Sequence, residues 1–167
     1  MALTYDIVRE IFTYNPETGI LRWKAHRGRV SCGSIAGSLD EKGYMRVMID
    51  GHHYRSHRII WLYMTGELPV FDIDHKDTDR SNNKWNNLRP ATKSQNASNY
   101  MRKSGTRGIS FHKATQKWTA SIKHSAKQMH LGLFASKSDA MICYNYHAAY
   151  LFGAFAKFNL ISEYGHD

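Results

Sequence analysis

Residues 73–99 read IDHKDTDRSNNKWNNLRPATKSQNASN, and this segment indicates the fold most clearly. Its apolar runs and turn formers predict a strand, a loop, a second strand and a helix. Asp74 and His75 are neighbours on the first strand, and Asn96 lies in the helix. A carboxylate, an imidazole and an amide oxygen are the groups needed to hold one divalent cation and to activate one water.

Each of these three residues suits one role in the hydrolysis of a phosphodiester. Asp74 and Asn96 offer oxygen ligands to a hard cation such as Mg²⁺, or another divalent cation such as Mn²⁺. His75 titrates near neutral pH and suits the removal of a proton from water. Neighbouring side chains of a regular strand point to opposite faces, so the strand must twist or end here if Asp74 and His75 serve one phosphate. Asn86 or Asn87 is expected to hold the intervening loop.

The charge of the chain indicates the substrate. Its 167 residues carry 23 Lys and Arg against 14 Asp and Glu, a formal net charge of +9. No acidic residue lies between Asp79 and Asp139, although that stretch patterns as folded. Such a distribution is typical of phosphate binding, so we expect double-stranded DNA as the partner.

Residues before the motif predict a small unit that mixes helices and strands. Helical spacing indicates a helix over 5–13, and an apolar run indicates a strand over 20–25. Alternating strands on either side of Asp50-Gly51 predict a hairpin. The segment 57–65 predicts a helix that is closed by Gly66.

Residues after the motif predict a second small module. Thr92 with Gln95 fits a capping box that opens a helix through Met101. Three strands are expected over 107–112, 117–123 and 128–134, and a helix is expected from the cap Ser136 to Gly153. Two sets of apolar residues should face that helix: Trp118, Ala120 and Ile122 on the middle strand, and Met129, Leu131 and Leu133 on the last.

Three parts of the sequence resemble known families. The letters DHKD and NNLRPATKSQN resemble the HNH nuclease family, which has the ββα-metal fold. Upstream, YNPETGILRWK, GYMRVMIDG and HRIIWLYMTGELP resemble the N-terminal part of phage and intron HNH homing endonucleases. The segment RGISFHKATQKWTASIK and the HLGLF that follows resemble the APETALA2/ERF DNA-binding domain.

The resemblance implies a role for each matching residue of the nuclease motif. It implies that His75 is the general base, that Asp74 and Asn96 are the metal ligands, and that Asn87 tethers the loop. Asn96 stands where many relatives have a final histidine. Relatives with this ending often nick one strand, so we expect a nick.

The resemblance to the APETALA2/ERF domain implies a DNA-binding face on the C-terminal sheet. The matching positions, which would enter the major groove, are Ser110, His112, Lys113, Lys117, Thr119, Ser121, Lys123 and His130. Further basic residues that we expect to contact DNA are Arg89, Lys93, Arg102, Lys103, Arg107 and Lys127.

The predicted fold class is α+β, with a ββα-metal HNH nuclease module followed by a three-stranded antiparallel sheet packed on one helix. We expect a nuclease part over 1–101 with its core at 57–101, a linker over 102–106, an ERF-like module over 107–160 and a tail over 161–167. A calcium loop beginning at Asp77 is disfavoured, because its sixth and twelfth positions lack the required Gly and Glu.

These predictions together describe a site-specific, metal-dependent homing endonuclease. The alternative is a DNA-binding regulator in which the HNH unit is an inactive scaffold. We expect a monomer, because the sequence shows no obvious dimerisation stripe. We expect no association with membranes, because the chain has no apolar run of 18 residues. We also expect a phage-encoded protein that acts in the bacterial cytoplasm and is not secreted.

Overall fold

The computed structural model describes residues 3–99 and 106–161, with the backbone alone for residues 97–99. Contacts between residues divide the chain into two compact units, of which the first ends at Thr92 and the second begins at Lys93. The first unit has three small sheets and the second has one, and each unit has its own apolar core.

The first unit consists of two helices and three small antiparallel sheets. In chain order the elements are α1 (Tyr5–Ile11), β1 (Phe12–Asn15), β2 (Ile20–Trp23), β3 (Ser38–Leu39), β4 (Met45–Ile49), β5 (His52–Arg55), α2 (Ser56–Thr65), β6 (Asp72–His75) and β7 (Leu88–Ala91). The sheets pair β1 with β2, β3 with β4 and β5 in that order, and β6 with β7. The ribbon of β6 and β7 contains Asp74 and His75.

Fully buried residues from α1, β1, β4 and α2 form the core of this unit. Val8, Phe12, Val47, Ile59 and Ile60 are all inaccessible to solvent. Burying side chains of this size stabilises a fold by about 1.5–3 kcal/mol each. The core thereby fixes α2 and the strands around the β6–β7 ribbon.

Two local predictions for the first unit are confirmed. Asp50 and Gly51 both have positive φ, of 49° and 79°, as a tight hairpin turn between β4 and β5 requires. Helix α2 ends at Gly66, whose left-handed φ of 82° lets its N–H bond the carbonyl of Leu62.

The prediction of a helix through residue 13 is wrong at its C-terminal end. Helix α1 stops at Ile11, and β1 begins at Phe12. Phe12 pairs with Trp23 across the β1–β2 ribbon, and the two rings lie 4.7 Å apart. Tertiary pairing with a strand eight residues further on overrides the helical pattern of this segment.

The second unit contains α3 (Lys93–Asn99), β8 (Ile109–His112), β9 (Lys117–His124), β10 (Lys127–Phe134) and α4 (Lys137–Phe152). Strand β9 lies between β10 and β8 in an antiparallel sheet. Ile122 of the sheet and Tyr144 and Ala148 of α4 form the buried cluster. The Ser136 hydroxyl caps α4 by accepting from the Asp139 N–H at 3.0 Å, which confirms the predicted cap. The three predicted strands are present, but the first begins at Ile109 and not at residue 107.

The predicted orientation of Leu133 is wrong. The register pairs His130 with Ser121 but Gly132 with Ala120, so a bulge places one extra residue, Leu131, in β10. A shift of one residue moves every later side chain to the other face. Leu133 therefore pairs with Thr119 and is 45% exposed on the polar side of the sheet.

The predicted domain boundaries stay predictions. The expected linker, 102–106, lies outside the described residues except for Thr106. Helix α3 groups with the C-terminal unit, ahead of that linker. None of the described helices has both the length and the hydropathy that crossing a membrane requires.

Candidate active site

Asp74 is a buried carboxylate in the middle of the β6–β7 ribbon. The register places it opposite Arg89 of β7, and it is only 4% exposed. The Oδ2 atom of Asp74 accepts from Arg89 Nε at 2.8 Å and lies 2.7 Å from Nη2 of the same guanidinium. This ion pair neutralises a charge that would otherwise be costly to bury.

His75 is the last residue of β6 and is also 4% exposed. Its Nε2 lies 3.1 Å from Oδ1 of Asn83, which is equally buried. Burial lowers the pKa of His75, while the bond to Asn83 and the nearby carboxylates oppose this shift. The imidazole is therefore neutral at physiological pH, as a base must be.

The loop between the two strands is held from inside by Asn87. Its Nδ2 donates to Asp77 Oδ1 at 2.9 Å and to the Asn82 carbonyl at 2.8 Å, and its Oδ1 accepts from the Asp77 N–H at 3.1 Å. Asn82 Nδ2 donates to the other oxygen of Asp77 at 2.6 Å. These bonds give the loop one conformation beside His75, in keeping with the tethering role expected of Asn87.

Two aromatic rings pack against the imidazole of His75. The ring of His57, from the first turn of α2, lies 5.2 Å from the His75 ring at 87°, and the Tyr44 ring lies 6.0 Å away. Burial lowers the pKa of His57 to about 3, so it is a neutral packing group. The guanidinium carbons of Arg55 and Arg80 lie 4.1 Å and 4.9 Å from the centre of the Tyr44 ring.

The donor atoms expected to hold a cation are oxygens. Asp74 supplies a buried carboxylate next to the histidine, and a carboxylate with an amide oxygen suits a hard cation that keeps several waters. Asn96 lies half-buried in the first turn of α3, in the second unit. Within residues 3–99 and 106–161, no three His, Cys, Asp or Glu side chains gather as a metal-binding group. A carboxylate and an amide carbonyl are donor types that a hard divalent cation accepts.

The polar face of the C-terminal sheet is the second candidate surface. The register aligns His112 with Lys117, Ser110 with Thr119, and Ser121 with His130. Cross-strand partners share a face of the sheet. The predicted residues that share this face are Ser110, His112, Lys117, Thr119, Ser121, Lys123 and His130.

The remaining predicted DNA contacts lie elsewhere. Lys113 is in the turn after β8, and Lys127 pairs with His124, which places it on the other face from Lys123. Arg107 has a buried Nη2, and its backbone N–H donates to Asn159 Oδ1 at 2.6 Å. Lys93 is exposed at the start of α3, and Arg102 and Lys103 lie outside the described residues.

Sequence reasoning missed three residues around His75. Asn83 is one of four asparagines in the loop, and nothing local distinguishes it from Asn82, Asn86 or Asn87. Tyr44 directly precedes β4 and lies more than 30 residues before His75 in the chain. The contact of the His57 ring with the His75 ring was not predicted. For His57, the signal in the sequence is the periodicity of α2, which indicates that a face is buried but not what that face contacts.

Comparisons with known proteins point to one family for the motif. Residues 54–98 match the model of the HNH endonuclease family, a segment that includes β6, β7 and His75. A solved structure described as DNA binding and cleavage by the HNH homing endonuclease I-HmuI is similar, with 24% identity and a TM-score of 0.40. The similarity covers 53% of this chain and 50% of that one, so this chain spans about half its length. Comparison with curated proteins gives no match.

Proposed function

We propose that this protein is a site-specific, metal-dependent DNA endonuclease of the HNH homing type. The observation that carries the proposal is the placement of His75. It is a buried imidazole with one nitrogen hydrogen-bonded, next to the buried carboxylate of Asp74, within the segment that matches the HNH endonuclease family. This combination supports a general base held ready beside a site for a phosphate and a cation.

In the proposed reaction, a neutral His75 takes a proton from water. The water oxygen forms a bond to phosphorus, the bond from phosphorus to one sugar oxygen breaks, and that leaving oxygen takes a proton from solvent. Lowering of the His75 pKa by burial keeps the imidazole in the form that accepts a proton. Asn87 contributes by holding the loop in one conformation, and a positioned base of this kind accounts for about 10²–10⁴-fold of the rate.

Asp74 and Asn96 are the residues that we propose as ligands of a single Mg²⁺ or Mn²⁺. A bound cation would supply positive charge to the phosphoryl oxygens and the leaving oxygen. Asp74 must then share or exchange its bond with Arg89, whose guanidinium would be available for a phosphate. With one cation and one base in the site, we propose that the enzyme nicks one strand.

The C-terminal unit is proposed to bind double-stranded DNA as an APETALA2/ERF-like module. Its polar face carries Lys117 and Lys123 on one strand, in a region without acidic residues from Arg80 to Ser138. Phosphate contacts by such side chains give affinity, and neighbouring Ser, Thr and His side chains can contact base edges. We propose a monomer that acts on DNA in the cytoplasm of a bacterial cell and is encoded by a phage.

One observation favours a second candidate. Asp74 is engaged by Arg89 at 2.7–2.8 Å, and a stable ion pair of this kind would hold the carboxylate away from a cation. A DNA-binding regulator with an inactive HNH scaffold would then be the function. Removing the guanidinium in Arg89→Gln distinguishes the two, since only a nuclease has a cleavage rate that responds.

The test is cleavage of DNA libraries and supercoiled plasmids carrying candidate phage sites, with Mg²⁺ or with EDTA. A nuclease of the proposed type converts plasmid to open circles with Mg²⁺ and not with EDTA. Linear product would mean that both strands are cut and would remove the nicking proposal. Binding of a selected site without any cleavage of it would favour the regulator.

A further inference from the structure

Asn83 has an amide whose orientation is fixed by two hydrogen bonds. Its Nδ2 donates to the Ser81 carbonyl at 3.2 Å, and its Oδ1 lies 3.1 Å from His75 Nε2. Reversing the amide would place Asn83 Oδ1 against the Ser81 carbonyl oxygen, where two acceptors repel, and would place Nδ2 against His75 Nε2. The observed orientation is therefore the one that satisfies both neighbours.

This orientation selects one tautomer of His75. An amide oxygen can only accept, so the 3.1 Å contact requires that His75 Nε2 carries the proton. A neutral imidazole that is protonated on Nε2 has its lone pair on Nδ1. Both groups are at least 96% buried, so water does not easily replace either partner of this bond.

The β1–β2 hairpin holds the backbone of Asn83 from the other side. The Tyr14 hydroxyl donates to the Asn83 carbonyl at 2.8 Å, and the Trp85 N–H donates to the Pro16 carbonyl at 3.0 Å. Burial raises the pKa of Tyr14, so this hydroxyl stays a donor. These bonds join segments that are 69 residues apart in the chain.

Gly19 makes this close approach possible. It has φ +75°, and a Cβ at this position would lie 2.5 Å from Lys84 N and 2.6 Å from the carbonyl carbon of Asn83. Real side chains do not come this close to a backbone, so only glycine fits. The turn of the β1–β2 hairpin therefore packs closely against the backbone of Asn83, the partner of His75.

We infer that Asn83, held by the β1–β2 hairpin, is a positioning residue that keeps His75 in the Nε2–H tautomer and so presents Nδ1 as the base. The inference rests on the proposed function for its role in cleavage, but the choice of tautomer is a property of the free protein. Asn83 acts through His75 and needs no contact with the substrate.

The first test measures the tautomer directly. ¹⁵N NMR of protein labelled at its ten histidines distinguishes Nε2–H from Nδ1–H, and the spectrum of His75→Gln assigns the signal. We expect the Nε2–H form in the wild type and in Asn83→Asp, whose carboxylate also accepts. We expect a shift toward the Nδ1–H form in Asn83→Leu. An Nδ1–H signal in the wild type, or an unchanged signal in Asn83→Leu, would overturn the inference.

The second test measures cleavage and binding in the same variants. Asn83→Leu should lower the single-turnover rate about 100-fold, the lower end of the contribution of a general base, with the Kd for DNA within about twofold. Asn86→Ala, at an exposed asparagine of the same loop, is the matched control and should keep the wild-type rate. A rate for Asn83→Leu equal to that of Asn86→Ala would overturn the role in cleavage.

Tyr14→Phe covers the case in which Asn83→Leu does not fold. It removes one bond to the Asn83 carbonyl and keeps the ring, so a loss of about threefold to tenfold in rate is expected, in line with one lost hydrogen bond. Tyr54→Phe is its control. Identical rates for the two variants would contradict the role of the hairpin. If the tautomer responds as expected but the wild type cleaves no DNA, the proposed function fails and the assignment of Asn83 stands.

Discussion

The His75 site and the polar face of the C-terminal sheet both lie on antiparallel strands. The polar side chains of the first are buried, and those of the second are exposed to solvent or partly exposed. Asp74, His75 and Asn83 are each at most 4% exposed and are bonded to one another or to a fixed neighbour. Lys117 and Lys123 are exposed. Chemistry at a phosphate needs groups that are oriented before the substrate arrives, whereas backbone binding needs charges that water and DNA can reach.

Because of this difference, we expect substitutions in the two regions to have different effects. A buried network fails as a unit, because removing one member leaves the next one without its partner. An exposed charged face loses its contacts one at a time, and each loss is screened by salt. Variants of the first region should therefore change stability and rate sharply, and variants of the second should change affinity gradually.

The largest effect on stability is expected for Asp74→Ala. It removes the buried carboxylate that pairs with the Arg89 guanidinium, whose side chain is 13% exposed, and breaking a largely buried pair in this way destabilises a protein by about 3–5 kcal/mol. Urea unfolding measures the change, with Asp72→Ala, two residues earlier on β6, as the control. A loss below about 1 kcal/mol, the range of exposed pairs, would mean that the pair is effectively solvated.

The next effect is a dependence of stability on pH that arises from His57. Its pKa is about 3 in the folded protein and about 6.5 in the unfolded chain, so between these values only the unfolded chain binds the proton. Stability is complete above pH 6.5 and falls as the pH falls toward 3, by up to about 1.4 kcal/mol per unit from this group. After burial, the charges on His75, Arg55 and Arg58 also lower the His57 pKa, while Asp40 opposes them.

His57→Phe should flatten that profile, and urea unfolding at several pH values measures it. The control, His53→Phe, replaces an exposed histidine of β5 and should keep the wild-type slope. Equal slopes for the two variants would show that His57 is not buried in a neutral form.

For the polar face, we expect a change in how strongly DNA affinity depends on salt concentration. Replacing both Lys117 and Lys123 with Gln should lower the slope of log K against log salt by about 1.8, since each phosphate contact contributes about 0.9. Titrations of DNA at several salt concentrations measure the slope. The control is the double variant Lys42→Gln with Lys24→Gln, which also removes two charges. An equal decrease of the slope in the control would contradict the assignment of the polar face as the DNA-binding surface.

The smallest effect should separate two leucines of β10. Leu133→Ala should change stability by no more than about 0.5 kcal/mol, because the bulge puts this residue on the open face. Leu131→Ala, which packs against the α4 cluster, should cost about 1–2 kcal/mol, below the range for fully buried leucines. A larger loss for Leu133→Ala than for Leu131→Ala would place the bulge elsewhere.

Local signals in the sequence predicted the parts of the fold that depend on few residues. The hairpin at Asp50-Gly51, the end of α2 at Gly66 and the cap of α4 at Ser136 each follow from one or two residues and are confirmed. The end of α1 and the face of Leu133 were wrong, because both depend on pairing between strands. A register cannot be obtained from periodicity alone.

The candidate site shows the same division. The sequence picked out Asp74 and His75 as neighbours, and β6 does end at His75, as their joint use requires. The pairing of Asp74 with Arg89 depends on the strand register, and the choice of Asn83 as the partner of His75 depends on a hairpin 69 residues away from it. Contacts at such separations have no local signal.

The most direct measurement of the central claim compares two variants at saturating protein on one cleavable DNA site. His75→Ala should bind that site with the wild-type Kd and lose about 10²–10⁴-fold in single-turnover cleavage rate. The double variant of Lys117 and Lys123 should bind more weakly and, once saturated, cleave at the wild-type rate. Cleavage by His75→Ala at the wild-type rate would contradict the assignment of His75 as the base and, with it, the account of the site.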